Sequence, residues 1–118
     1  MGLAKPIADY ESVASWARGL REQWGGDPLA DDPSKLETLA AFCEFTGKDP
    51  DEIVAFCFLR KKATGEKFGS VKRREEMAAL IKQFRAASGG ASMQGRRRQS
   101  DVCSFLIHNG VLMQLGVI

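Results

Sequence analysis

The residues best suited to metal chemistry in this chain are three cysteines and the single histidine: Cys43, Cys57, Cys103 and His108. Three thiolates and one imidazole can hold a structural zinc ion, but such sites are built on short knuckles that no spacing here provides. An odd number of cysteines among apolar neighbours predicts buried thiols, not a disulfide scaffold. Adjacent carboxylates, Asp31-Asp32 and Glu75-Glu76, have metal-binding chemistry in principle; in isolation such pairs are helix-start or solvent-facing charges. Phosphate loops, G-x-S-x-G, H-E-x-x-H and C-x-x-C are all missing. His108 stands near the close of a helical pattern, where a histidine favours the dipole or packs and makes no lone general base. The expectation is a non-enzymatic chain without catalytic residues, metal or cofactor.

Basic residues offer a different chemistry. The formal net charge is only +2, yet the residues before Arg60 hold five basic against eleven acidic side chains, and those from Arg60 onward hold twelve against four. Positive charge gathered on one part of a domain suits a polyanion, most often nucleic acid. Two clusters are the candidate DNA contacts. Arg60, Lys61, Lys62, Lys67, Lys72 and Arg73, in and beside a basic loop, could neutralise phosphates as flexible point charges. Gln94, Arg96 and Arg97, on the outer face of the last helix, could reach base edges, because a guanidinium fork matches guanine and an amide matches adenine. Three arginines in a row cannot all point one way, and Arg98, nearest the apolar stripe, is expected to lay its stem along the core.

Helices must position these side chains. With 118 residues, 44% of them hydrophobic and 27% charged, the chain has the composition and length of one globular domain spanning residues 1–118. Val13, Trp16, Ala17, Leu20 and Trp24 make one apolar stripe over about 9–24, stopped by Gly25-Gly26. After a linker, GGDPLADDP, the pair Ser34 and Glu37 reads as a capping box opening a helix over 34–46 that buries Leu36, Leu39, Phe42 and Cys43 and ends at Gly47. Asp49-Pro50-Asp51-Glu52 joins an N-cap aspartate, a proline at the first helical position and acids facing the dipole, so a central helix is expected over 50–60. RKKATGEKFGSVKRR reads as a basic loop leading to a helix over 71–87 that turns Met77, Leu80, Ile81 and Phe84 inward until Ser88-Gly89-Gly90. Ser92 caps a last helix over 92–109, closed by Asn109-Gly110, with Val102, Phe105, Leu106 and Asn109 on one face. No segment alternates long enough for a strand, except the tail Val111 to Ile118, which has no partner. The expected fold is all-α, a compact bundle or orthogonal array of four to five helices.

TLAAFCEFTGKDPDEIVAFC, then a helix ending in IKQF, a break and VCSFLIHNGV, resembles the core-binding domain of tyrosine recombinases, the phage integrase family, in its archaeal-type versions. Leu39, Phe42, Cys43, Gly47, Lys48, Pro50, Asp51, Glu52, Ser104, Phe105, Asn109 and Gly110 occupy the matching positions, and the likeness covers about residues 34–111. The resemblance implies a SAM-like helical clamp lying across a DNA half-site during DNA recombination and integration, while a separate domain cleaves the strand. Cleavage in that family needs a tyrosine nucleophile near the C-terminus with arginines, a lysine and histidines around the phosphorane-like transition state. The one tyrosine here is Tyr10, so no recombinase chemistry is expected. One departure stands out: where the family offers basic or hydroxyl groups to DNA, this chain reads Asp31-Asp32-Pro33-Ser34-Lys35, and carboxylates repel phosphate.

Double-stranded DNA is therefore the expected partner. The alternative is a protein-interaction or oligomerisation module, docking on a recombinase or on itself through the apolar tail Val111, Leu112, Met113, Leu115, Val117 and Ile118. No apolar run approaches a bilayer span, and MGLAKPIADYE lacks the core of a signal peptide, so a cytoplasmic protein with no membrane association is expected.

Overall fold

Each helix of the computed structural model, which describes residues 3–113, begins and ends for a local reason. A single 3-10 turn (Ile7–Asp9) leads into α1 (Glu11–Trp24), which stops where Gly25 and Gly26 take positive φ of 75° and 65°. Val13, Trp16 and Leu20 are buried as the stripe predicts, but Trp24 is 73% exposed: the stripe leaves the core one turn before the helix ends.

The expected linker contains a one-turn helix, α2 (Pro28–Asp31), whose Leu29 is buried. α3 (Ser34–Thr46) follows, closed by Gly47 in the left-handed conformation at φ 73°. The Ser34–Glu37 capping box does not form, because Ser34 is already the first helical residue. Asp32 does the capping, accepting from the Ser34 amide at 3.2 Å and from the Ser34 hydroxyl. α4 (Pro50–Phe56) opens on a true capping box: Asp49 accepts from the Glu52 amide at 2.8 Å while Glu52 accepts from the Asp49 amide at 3.0 Å.

α4 ends at Phe56, four residues before the expected boundary, and the chain turns into a hairpin. β1 (Phe58–Arg60) pairs antiparallel with β2 (Lys67–Gly69) in the register Phe58↔Gly69, Leu59↔Phe68, Arg60↔Lys67. The Ser70 amide extends the pairing by donating to the Cys57 carbonyl at 3.0 Å. The basic loop is thus a two-stranded ribbon, and the expectation of no strand before the tail is corrected. Its strands are three residues each, too short to show period-two alternation in the sequence.

α5 (Val71–Ala87), capped by Ser70, and α6 (Met93–Ile107), capped by Ser92, run back to back. Arg85, near the end of α5, reaches Gln99 in the first half of α6, whereas Arg74, near the start of α5, reaches the Leu112 carbonyl beyond the end of α6. The molecule is mostly helical, with six α-helices and this one small sheet among the described residues. Its core is built from Trp16, Phe42, Ile53, Cys57, Met77, Ile81, Phe105 and Leu106, with Trp16 edge-on to Phe105 at 5.5 Å and Phe42 against Phe84 at 5.1 Å.

The apolar tail is used differently from the expectation. Val111 and Met113 are buried in the chain's own core and only Leu112 stands out, so this part is not a free docking strip; Leu115, Val117 and Ile118 lie outside the described residues. Among the described residues, no helix is long and apolar enough to cross a membrane.

Candidate functional site

The hairpin gathers the first predicted cluster. Arg60 and Lys67 sit directly opposite across the strands, Lys61 and Lys62 lead into the turn at Gly65 (φ 71°), and Lys72 and Arg73 occupy the first turn of α5. Like charges facing across a strand pair destabilise it, and this pair is held apart by separate tethers. Arg60 Nη1 donates to the Gly65 carbonyl at 3.0 Å, while Lys67 Nζ lies 4.3 Å over the Phe58 ring. Arg73 sits 4.7 Å over Phe56. Lys48, from the turn before α4, approaches the same ring at 5.1 Å and so joins this surface. Nothing local in the sequence marks Lys48, because it lies in the acidic half and reaches the cluster only through Phe56.

One carboxylate stands in the ribbon. Glu66 pairs with Lys61 at 3.8 Å with both side chains more than half exposed, a contact that contributes little in water. Lys62 and Lys72 are exposed and form no ion pair among the described residues. The first turn of α5 holds no acidic residue, so Lys72 and Arg73 face the positive end of the helix dipole, each against about 0.3–1 kcal/mol at low salt. Arg74 is different: it is half-buried, donates to Leu112 and anchors the segment after α6.

The second cluster lies elsewhere. A 17-residue α5 spans about 25 Å, and α6 starts beside its far end, so Gln94, Arg96 and Arg97 are separated from the ribbon by roughly that length. Arg97 pairs with Asp32 at 3.7 Å, and Lys35 at the start of α3 pairs with Asp101 of α6 at 3.1 Å. Arg98 stacks 5.7 Å over Phe84 and donates to the Ser88 hydroxyl, its stem on the core. Gln94 and Arg96 are exposed. The acidic start of α3 therefore faces this cluster and takes up part of its charge. The hydrogen bonds from the Ser34 hydroxyl and amide, with the nearby Lys35 and Arg97, hold the Asp32 carboxyl below the usual carboxylate range against the opposing effect of burial.

Residues singled out for other chemistry lie in or against the core. Cys43 and Cys57 are buried and Cys103 is half-buried, all as free thiols. Burial pushes the Cys43 thiol up to about 12, with Asp49 and Glu52 adding to the effect; burial also pushes Cys57 and Cys103 up to about 11. These thiols stay protonated and unreactive at neutral pH. Among the described residues, no three of the His, Cys, Asp and Glu side chains gather as a metal site. His108 packs on Gly19 so closely that a Cβ there would meet its Nδ1 at 2.1 Å. A glycine in mid-helix is the one sequence signal of that approach. Tyr10 is 4% exposed in the core.

Several residues that carry the family resemblance are tie points between helices. Ser104 accepts from Trp16 Nε1 at 3.1 Å, Asp51 accepts from the Ser12 amide at 3.0 Å, and Asn109 Nδ2 donates to the carbonyls of Ser12 and Phe105 at 2.9 and 2.8 Å. In comparisons with known proteins, the chain matches no protein-family model, no curated protein and no solved structure.

Proposed function

We propose that this protein is a non-enzymatic module that binds double-stranded DNA, with the β1–β2 ribbon and the first turn of α5 as its main contact surface. The observation that carries the reading is the ribbon itself: on the ribbon and the first turn of α5, Arg60, Lys61, Lys62, Lys67, Lys72 and Arg73 stand with one carboxylate, Glu66, and the exposed Glu75 and Glu76 follow on the next turn, so the cations work against their own electrostatics. Opposed Arg60 and Lys67, and cations at a helix N-terminus, are relieved by an external row of negative charges. Phosphates supply that row, and each neutralised phosphate releases counterions. Gln94 and Arg96 form a secondary patch about 25 Å away, a distance a duplex covers in about seven base pairs. Arg97 has a reduced share because Asp32 engages it.

The core-binding domain of tyrosine recombinases, in its SAM-like archaeal-type form, is the family reading we attach to this surface. It is supported by the order of the capped α3–α4 junction and the Ser104-Phe105…Asn109-Gly110 helix end, whose residues hold the helices together here. The reading gives this chain DNA positioning and no chemistry, in a cytoplasmic setting. Anisotropy titration of a labelled duplex against salt tests it: the logarithm of affinity should fall linearly with the logarithm of salt, and Lys62→Ala should reduce the slope by about one unit. Absence of binding at low salt would overturn it.

A further inference from the structure

A two-stranded ribbon has two faces, and the charges account for one of them. The register places Phe58, Arg60 and Lys67 on the same side, with Phe58 packed against the core. Leu59 and Phe68, directly opposite each other, therefore project from the other side, and they are 40% and 39% exposed. A large aliphatic and an aromatic side chain held open to water on a ribbon of this charge mark a contact surface, and the surrounding cations specify what it meets. Lys61 and Lys62 at the tip and Lys72 at the base, where α5 begins, bracket the apolar pair along the ribbon. The partner must present an apolar strip between two rows of negative charge.

The major groove of duplex DNA has that form. It admits a two-stranded β-ribbon, its walls are phosphate, and the only apolar groups on its floor are the C5-methyls of thymine. We propose, resting on the DNA-binding reading above, that the ribbon enters the major groove and that Leu59 and Phe68 read thymine methyl groups while the flanking lysines hold the phosphate walls. The protein then prefers A·T-containing sites through apolar contact, a preference that the salt-dependent phosphate contacts do not provide.

The test compares four duplexes of one length by anisotropy: one with thymine, one with uracil replacing every thymine, and a G·C-rich duplex without and with 5-methylcytosine, which carries the same group at the same position. Burying one methyl is worth a factor of about four, so two contacted thymines should make the thymine duplex about fifteenfold tighter than the uracil duplex, and methylation should tighten the G·C duplex. Leu59→Ala/Phe68→Ala should abolish both differences without changing the salt slope. Lys62→Ala should do the reverse, lowering the slope and keeping the thymine-to-uracil ratio. Both residues are exposed enough for the double variant to fold, which its thermal melt checks. Equal affinity for thymine and uracil duplexes overturns the inference while leaving DNA binding intact. A double variant that weakens both duplexes equally overturns it too, and points to a wedge that parts base steps. Failure to bind any duplex at low salt removes both readings.

Discussion

The two ends of α5 carry similar basic sequences and differ in how far carboxylates offset them. On the ribbon and the first turn of α5, six cations stand with one carboxylate, Glu66, while the exposed Glu75 and Glu76 lie on the next turn, and the tethers on Arg60, Lys67 and Arg73 run to a carbonyl and to aromatic rings, which leave their positive charge in place. At the α6 end, Arg97 has Asp32, Lys35 has Asp101, Arg85 is buried with its Nε on the Gly90 carbonyl at 2.8 Å, and Arg98 lies on Phe84. A run such as Arg96-Arg97-Arg98 is thus a poor guide to a binding surface. What matters is whether the fold returns a carboxylate to it, and here Asp32, just before α3, does so for Arg97 across more than sixty positions of sequence.

That contrast is open to measurement, beginning with the largest effect. Replacing Lys61, Lys62 and Lys67 together by alanine should lower the salt slope by nearly three units and weaken duplex binding roughly 500-fold at about 0.1 M salt. Arg96→Ala/Arg97→Ala should lower the slope by about one unit at most, and equal losses from the two variants would erase the distinction between the ends. Stability should respond in the opposite place. A Cβ on Gly95 would stand 2.4 Å from the Gly90 carbonyl oxygen, a backbone atom that cannot swing aside. Gly95→Ala should therefore destabilise by about 2 kcal/mol and lower the thermal midpoint by about 10 °C. Its folded fraction should bind DNA as the parent does, read by calorimetry and anisotropy on the same sample.

Smaller effects refine the α6 end. The Arg97 and Asp32 side chains are 62% and 39% exposed, so a double-mutant cycle between them should give a coupling below about 0.5 kcal/mol in urea unfolding. The smallest effect is a pH dependence. Because the folded-state pKa of Asp32 is lowered, its contribution is present above the unfolded value of about 4 and is lost as pH falls through the lower folded value. Asp32→Asn should differ from the parent by a few tenths of a kcal/mol at neutral pH, and the gap should close below about pH 4. A gap that stays constant from pH 7 to pH 2 would show that the carboxylate charge contributes nothing there.

Helix starts were legible because they are decided by residues within one turn. Asp49 and Glu52 cap each other, Ser70 and Ser92 accept the amides of Arg73 and Gly95, and Gly47 leaves the helix through the left-handed region, all from local chemistry. Ser34 does not cap because Asp32, two residues earlier, competes for the same role and donates no proton of its own, so the Ser34 hydroxyl turns back to it.

The residue types at the candidate site were equally legible, as were its two basic clusters. Most helix starts, most of the buried faces and the charge asymmetry follow from the sequence, because each depends on composition or on neighbours within a few positions. Tertiary structure alone decided that Phe58–Arg60 would leave the helical pattern, since three ladder pairs with Lys67–Gly69 form only when the chain folds back. It also decided which cations remain free. Lys48 reaches the ribbon surface through Phe56, while Arg97 and Lys35 are claimed by Asp32 and Asp101. Charge acts through space, and the distances that set its strength exist only after the helices have packed.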